Sequence, residues 1–213
     1  SQQGLKVGCY TSPHLVRYNE RINIAGSEAS DEDLCRAFAA IDRARGEISL
    51  SYFEFGTLAA FWLMAQAPLD AWLIEVGLGG RLDATNILDA DIAIITSIAL
   101  DHEAFLGDTR ELIAVEKLGI ARSSSLLICA DQDPPASLLA GAAKLGCPSL
   151  WAGRDFSWSN AEDGGVAFQH PELPVIQVPR LQLPTPSVAA ALVACAHLGL
   201  LADKPALEKQ LIN

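Results

Sequence analysis

The chain has 213 residues, half of them apolar and only 19% charged, with 26 Asp and Glu against 15 Lys and Arg for a net charge of −11. A chain of this length buries roughly 70% of its unfolded surface on folding, so a sizeable core needs no staples, and the composition excludes a disordered or low-complexity protein. Net negative charge repels phosphate backbones and anionic bilayers, which argues against nucleic-acid and membrane partners while leaving room for a local basic pocket.

Cys9, Cys35, Cys129, Cys147 and Cys195 are odd in number, scattered and contain no C-x-x-C pair. That pattern speaks against a disulfide framework or a thiolate zinc site and suits a reducing compartment. The longest apolar stretch, Phe55 to Ala65, is too short to span a bilayer, and no signal segment opens the chain, so a cytoplasmic location is expected.

In chain order, the opening lacks an initiator Met, and Gln2-Gln3-Gly4 reads as a helix ending at a Gly stop, so a preceding segment is expected. A short strand at Lys6 to Tyr10 follows, then a Pro-punctuated loop Thr11-Ser12-Pro13-His14-Leu15 and an alternating strand over Arg21 to Ile24. Ser30 with Asp33 has capping-box spacing; Leu34, Ala37, Phe38 and Ile41 supply an apolar face, and Gly46 stops the helix. A second helix from Phe53 to Gln66 is apolar nearly all round, which predicts burial.

Ala71 to Ile74 and Ile92 to Ile95 are short continuous apolar runs, the mark of parallel strands covered on both faces. The first ends at Glu75; the second leads through Thr96-Ser97-Ile98 to Asp101-His102. A third helix has Asp108 as N-cap, Glu111 at its third position and Gly119 at its stop; a strand at Leu126 to Cys129 and a helix over Pro135 to Leu145 follow. The strand–helix alternation predicts an α/β fold, a mostly parallel sheet flanked by helices over residues 1–150. Residues 151–183 read as a small appended antiparallel sheet, and 184–213 as returning helices, one behind Pro184 and Pro186 and a last short one from Pro205. No internal repeat is visible.

In open α/β sheets ligands gather at the carboxyl ends of strands, where Glu75 and His102 arrive. A carboxylate and an imidazole there could hold a hard divalent cation, act as an acid/base pair, or simply cap the strands. The glycines of Val76-Gly77-Leu78-Gly79-Gly80 allow close backbone approach, or only a tight turn. Leu82 stands where a dinucleotide fingerprint needs Gly, and no Gly precedes a Lys, so neither that fingerprint nor a Walker loop is present. Lys117, near a helix C-terminus, fits a surface lysine; Ser12 is a ligand oxygen or a turn former; Glu54 complements its helix dipole; Phe53, Phe55, Phe61 and Trp62 read as core.

Six segments occur in order: Tyr10-Thr11-Ser12-Pro13-His14-Leu15, Asn19-Glu20-Arg21-Ile22, Tyr52-Phe53-Glu54-Phe55, the run from Glu75 to Asn86, Leu100-Asp101-His102, and Glu116-Lys117-Leu118-Gly119-Ile120. Together they resemble the folylpolyglutamate synthase/dihydrofolate synthase family of bifunctional bacterial type, within the Mur ligase superfamily. The likeness runs through essentially the whole chain and is densest between residues 4 and 122. The run from Glu75 to Asn86 is highly specific, and S-P-H-L separates this branch from the cell-wall ligases.

The resemblance implies an ATP-dependent ligase that joins L-glutamate to dihydropteroate, to folates, or to both, through an acyl phosphate. It implies a central ATPase domain, two Mg²⁺ sites, and a monomer in the full-length enzyme. By matching motif, Ser12 and Glu75 would hold the first Mg²⁺, His102 the second, and Lys117 would be carbamylated into an anionic ligand. Tyr52, Phe53 and Glu54, with Leu82, Asp83 and Ala84, match the stretches lining the pterin-side pocket. Two departures stand out: the family's G-T-x-G-K-G-S phosphate loop and its C-terminal Rossmann-like domain are both missing from these residues, which predicts an inactive fragment. A third is Ser187, where the family has an Asn contacting ATP. The rival readings are a Mur-type amino-acid ligase acting on a nucleotide-sugar and a non-catalytic homologue binding a pterin or a partner protein; a dinucleotide oxidoreductase is disfavoured by Leu82.

Overall fold

The computed structural model describes residues 4–160, 165–171, 173–178 and 183–201. The chain divides into two compact units, residues 1–88 and 89–213.

In the first unit, β1 (Val7–Tyr10) pairs antiparallel with β2 (Ile22–Ile24), which pairs with the two-residue β3 (Ser27–Glu28). Helices α1 (Asp31–Arg45) and α2 (Tyr52–Ala65) follow, and β4 (Ala71–Ile74) returns parallel to β1, giving the sheet order β3-β2-β1-β4. Ser30 caps α1 as its spacing predicts, its hydroxyl accepting the Asp33 N–H while the Asp33 carboxylate receives the Ser30 N–H. Helix α2 begins one residue earlier than the apolar pattern suggests, because Ser51 and Glu54 form a second such box. The core gathers Tyr10, Ile22, Leu34, Ala37 and Ile41 around the inner face of α2.

One expectation fails here. The run Ala71 to Ile74 predicts a strand covered on both faces, yet Leu73 is 58% exposed. Within this unit β4 is an edge strand whose inner residues alone meet α2, for example Trp72 stacking on Phe61. An apolar run reports what a strand could bury and says nothing of what lies against it.

The second unit holds a parallel sheet of order β5-β6-β7 and an antiparallel one of order β8-β9-β10. Strand β5 (Ile92–Ile95) leads to a one-turn helix α3 (Glu103–Leu106) and to α4 (Arg110–Leu118); β6 (Leu126–Cys129), α5 (Ala136–Leu145) and β7 (Ser149–Trp151) complete the parallel layer. Then come β8 (Ser157–Asn160), β9 (Val166–His170), β10 (Leu173–Val178) and α6 (Thr185–His197). Side chains alternate across each strand, so Ala93, Ile95, Leu127 and Cys129 pack on Ile113 of α4 and Leu138 of α5. Ile92, Ile94, Leu126 and Ile128 face the other way, onto Phe168, Ile176 and the α6 residues Val188, Leu192 and Val193. The α/β class, the parallel sheet and the small antiparallel sheet agree with the sequence reading. The helix expected from Pro205 lies outside the described residues, as does the one expected at Gln2-Gln3.

The start of α4 corrects the sequence. Its N-cap is Thr109, whose hydroxyl accepts the Leu112 N–H at 3.3 Å, not Asp108. Glu111 does not close a capping box on its own helix. Its carboxylate reaches the start of α5 and accepts the N–H groups of Ala136 (3.2 Å) and Ser137 (2.7 Å). Pro135 precedes α5 and has no side-chain oxygen to cap it, so the cap comes from a neighbouring helix. Tertiary demand outbids local spacing.

Candidate functional site

Parallel pairing of β1 with β4, in the register Tyr10↔Ile74, delivers the residues after both strands to one edge of the sheet. The Glu75 N–H donates to the Tyr10 carbonyl at 2.9 Å, and the Ser12 N–H donates to Glu75 Oε2 at 2.7 Å. Glu75 is exposed and Ser12 half-buried, so the Glu75 carboxylate lies against the backbone of Ser12 at the sheet edge. A carboxylate and a serine hydroxyl are donor types that suit a hard divalent cation.

Around them, Arg21 is only 8% exposed. Its Nε donates to His14 Nδ1 at 2.8 Å, and its guanidinium lies over the rings of Tyr18 (5.5 Å) and Tyr52 (5.7 Å). It thereby ties the Ser12–His14 loop to the start of α2. Burial pushes the Tyr18 hydroxyl up to about 12, so that ring stays neutral under the cation. Arg21 stands in a motif of the sequence, but its role as a hub depends on the rings of His14 and Tyr18 and, 31 residues on, of Tyr52, which no local pattern brings together.

Phe53 packs its ring against Gly77 and lies 6.0 Å from Tyr10. A Cβ at Gly77 would collide with that ring, so the first glycine of the Gly77–Gly80 stretch is required by a close approach. Asp83 organises the same loop: Oδ2 accepts the Leu78 N–H at 2.9 Å, and Oδ1 accepts both the N–H (2.9 Å) and the hydroxyl (2.6 Å) of Thr85. Glu54 is exposed, its carboxylate held below the usual range by the Ser51 N–H of the capping box. Leu82 is 79% exposed, and Ala84 opens a single 3₁₀ turn, Ala84–Ile87. Tyr52, 64% exposed, lines an open apolar depression of about 510 Å³ with Tyr18, Phe38, Leu50 and Phe55.

In the second unit His102 has a left-handed backbone (φ 51°, ψ 38°), a conformation few non-glycine residues adopt and one that clusters at functional sites. Its N–H donates to Asp101 Oδ1 at 2.8 Å, and its carbonyl accepts from Phe105 and Leu106. The imidazole is exposed, with Nε2 3.7 Å from Asp101 Oδ2. Lys117 sits half-buried in the last turn of α4. Ser187 lies in the first turn of α6, its N–H donating to the Pro184 carbonyl at 3.0 Å. Ser12 with Glu75 is thus brought together, and so is Phe53 with the Gly77 loop. Among the described residues no hydrogen bond or ion pair joins His102 to Lys117, and no three His, Cys, Asp or Glu side chains form a metal-binding group.

No protein-family model matches the chain. It is 46% identical, over 92% of its own length, to the dihydrofolate synthase/folylpolyglutamate synthase of Escherichia coli (strain K12), of which it covers 46%. Its fold superposes on that of E. coli FolC in complex with DHPP and ADP with a TM-score of 0.92 at 44% identity, covering 98% of this chain and 50% of that one. Over nearly its whole length the chain is similar to members of the folylpolyglutamate synthase/dihydrofolate synthase family. A further family member, a bifunctional folylpolyglutamate synthase/dihydrofolate synthase with Mn, AMPPNP and L-glutamate bound, matches with a TM-score of 0.88 at 43% identity, over 99% of this chain and 51% of that one. The chain spans about half the length of the family members it matches. No helix among its described residues is long and apolar enough to cross a membrane.

Proposed function

We propose that this chain is the central ATPase portion of an ATP-dependent ligase that adds L-glutamate to dihydropteroate or to folates. The observation that carries the reading is the Ser12–Glu75 contact at the sheet edge, followed at once by the Gly77–Asn86 loop. Relatives bound to ADP, to a nucleotide analogue with Mn, and to L-glutamate support ATP, a divalent cation and glutamate as ligands. In the finer reading the cation is Mg²⁺ at two sites: Ser12 and Glu75 hold one, His102 the other, and carbamylated Lys117 supplies a further anionic oxygen. The oxygen and imidazole donors fit such an ion, which when bound neutralises phosphate charge.

The chemistry joins a substrate carboxylate to glutamate. The carboxylate oxygen attacks the γ-phosphorus of ATP, ADP leaves, and the glutamate amine then displaces phosphate from the acyl phosphate. Such transfers depend mainly on positioning and charge. Arg21 and Asp83 supply positioning here, the first by tying the Ser12 loop to Tyr52, the second by closing the loop after Gly77. Tyr52, Phe53, Glu54, Leu82, Asp83 and Ala84 form the pterin-side surface in this reading, and Ser187 faces ATP.

The test is glutamate-dependent ADP release, by an enzyme of the relatives' full length that carries these 213 residues, with dihydropteroate, tetrahydrofolate, or a nucleotide-sugar peptide as acceptor. Release with either pteridine acceptor is expected, and release with the nucleotide-sugar alone would overturn the reading in favour of a cell-wall ligase. Glu75→Gln should weaken Mn²⁺ binding, measured by electron paramagnetic resonance titration; unchanged binding removes Glu75 from the metal set.

A further inference from the structure

Asp131 follows β6 and is a buried carboxylate, 8% exposed. Oδ2 accepts the Ile98 N–H at 2.7 Å, Oδ1 accepts the Asp133 N–H at 2.9 Å, and both oxygens accept from Arg110 Nη2 at 3.1 Å. Arg110 in turn donates from Nε to the Ile98 carbonyl at 2.8 Å, from Nη1 to the Asp133 carboxylate at 3.2 Å and from Nη2 to the Asp133 carbonyl at 2.7 Å. One ion pair therefore grips both backbone groups of Ile98, whose side chain is buried in the core with Ile95, Ile113 and Leu127. Among the described residues 97–100, only Ile98 has hydrogen-bonded backbone groups. Four residues further on, the chain enters the left-handed backbone of His102.

Local preference does not explain the arrangement. Arg110 is the first residue of α4, the end of the helix dipole that disfavours a cation. The guanidinium is there because its planar fork satisfies two carboxylates and two carbonyls at once, a task a lysine could not perform.

We propose that Arg110 and Asp131 are positioning residues for His102: by clamping Ile98 they fix the pivot from which the connection after β5 swings the imidazole into place. The inference rests on the reading of His102 as a metal-facing residue, and extends it to residues that touch no ligand. The pair also links that connection to α4, the helix that carries Lys117.

The test uses Arg110→Lys, which keeps the charge and loses the fork, and Asp131→Asn, which keeps the shape and loses the ion pair. Arg154→Lys, in the separate Arg154–Asp155 pair of the same unit, is the control for general destabilisation. Three quantities are read: amide exchange of residues 98–106, the ¹⁵N resonances of the His102 imidazole, and Mn²⁺ affinity. Both variants should speed exchange of that segment by roughly tenfold, the scale of a lost charge-assisted hydrogen bond. They should also shift the imidazole resonances and weaken Mn²⁺ binding, while Arg154→Lys changes none of these. Unchanged exchange and imidazole resonances, or the same changes in Arg154→Lys, would overturn the proposal. If Asp131→Asn does not fold, Arg110→Lys decides alone. His102→Asn separates the two readings: if it leaves Mn²⁺ affinity untouched, the metal-facing role is lost, and exchange with the imidazole spectrum still judges the clamp.

Discussion

Gly77→Ala tests whether Phe53 and the glycine loop form one packed unit. A Cβ at position 77 would meet Cζ of the Phe53 ring and lie 2.8 and 2.9 Å from Cε2 and Cε1, inside the ~3.5 Å optimum for carbon–carbon contact. The ring cannot retreat freely, because it is half-buried with Tyr10 at 6.0 Å on another side. Overpacking of this kind costs about 1–3 kcal/mol. Gly77 does not need a positive φ, so alanine strains no backbone there and recovers about 0.4–1 kcal/mol by restricting the unfolded chain. The expected net loss is about 1–2 kcal/mol, a fall of roughly 2–8 °C in melting temperature for a chain of this size. Urea denaturation of Gly77→Ala, Phe53→Ala and the double variant gives the assay. With the ring removed, the alanine should be neutral or stabilising, so the cycle should show strong coupling. Equal losses in both backgrounds would refute the packing argument.

Three further outcomes follow from the same structure. Ser30→Ala removes the α1 cap and should lower stability by about 1 kcal/mol in urea denaturation; no loss would mean Asp33 holds the helix start alone. Asp83→Ala frees the Leu78 and Thr85 N–H groups, so amide exchange should rise across residues 77–86 while β1 and β2 stay protected, which a general loss of structure would not reproduce. Glu20, Glu54 and Glu111 are held below the ordinary carboxylate range chiefly by hydrogen bonds, from the Arg17 N–H, the Ser51 N–H and Ser137 respectively. Because their folded values lie below the unfolded ones, their contribution is complete above the ordinary range and is lost as pH falls below about 4.5 through the lowered values. The urea midpoint should therefore hold from pH 7 to about 5 and drop below that; a midpoint that rises on acidification would contradict the assignment.

Much of the fold was legible in the chain because local chemistry decides it. Ser30 with Asp33, the Gly46 stop and the apolar runs at Ile92 and Leu126 each name their element. Glu111 was misread because its partner is the start of a helix 25 residues away, a contact without a local signature. The exposure of Leu73 escaped for the same reason, since periodicity describes a strand and not its neighbours. Among the site residues, only the family's motifs put Ser12 with Glu75, since strand position by itself pairs Glu75 with His102. The roles of Arg21, Arg110 and Asp131 have no such signature, because each needs at least one partner far along the chain: Tyr52 for Arg21, Ile98 for Asp131, and Asp131 for Arg110.

Cys129 lies at the centre of the parallel sheet of the second unit, with no measurable exposure, and burial pushes its thiol up to about 11. A maleimide or iodoacetamide in neutral solution meets neither a path to the sulfur nor a thiolate to react with. Cys35, on the solvent side of α1, stays accessible throughout. The chain thus carries its own paired labels: exposed Cys35 clocks the reagent, and the slow capture of Cys129 counts how often α4 or α5 lifts from its face of the sheet.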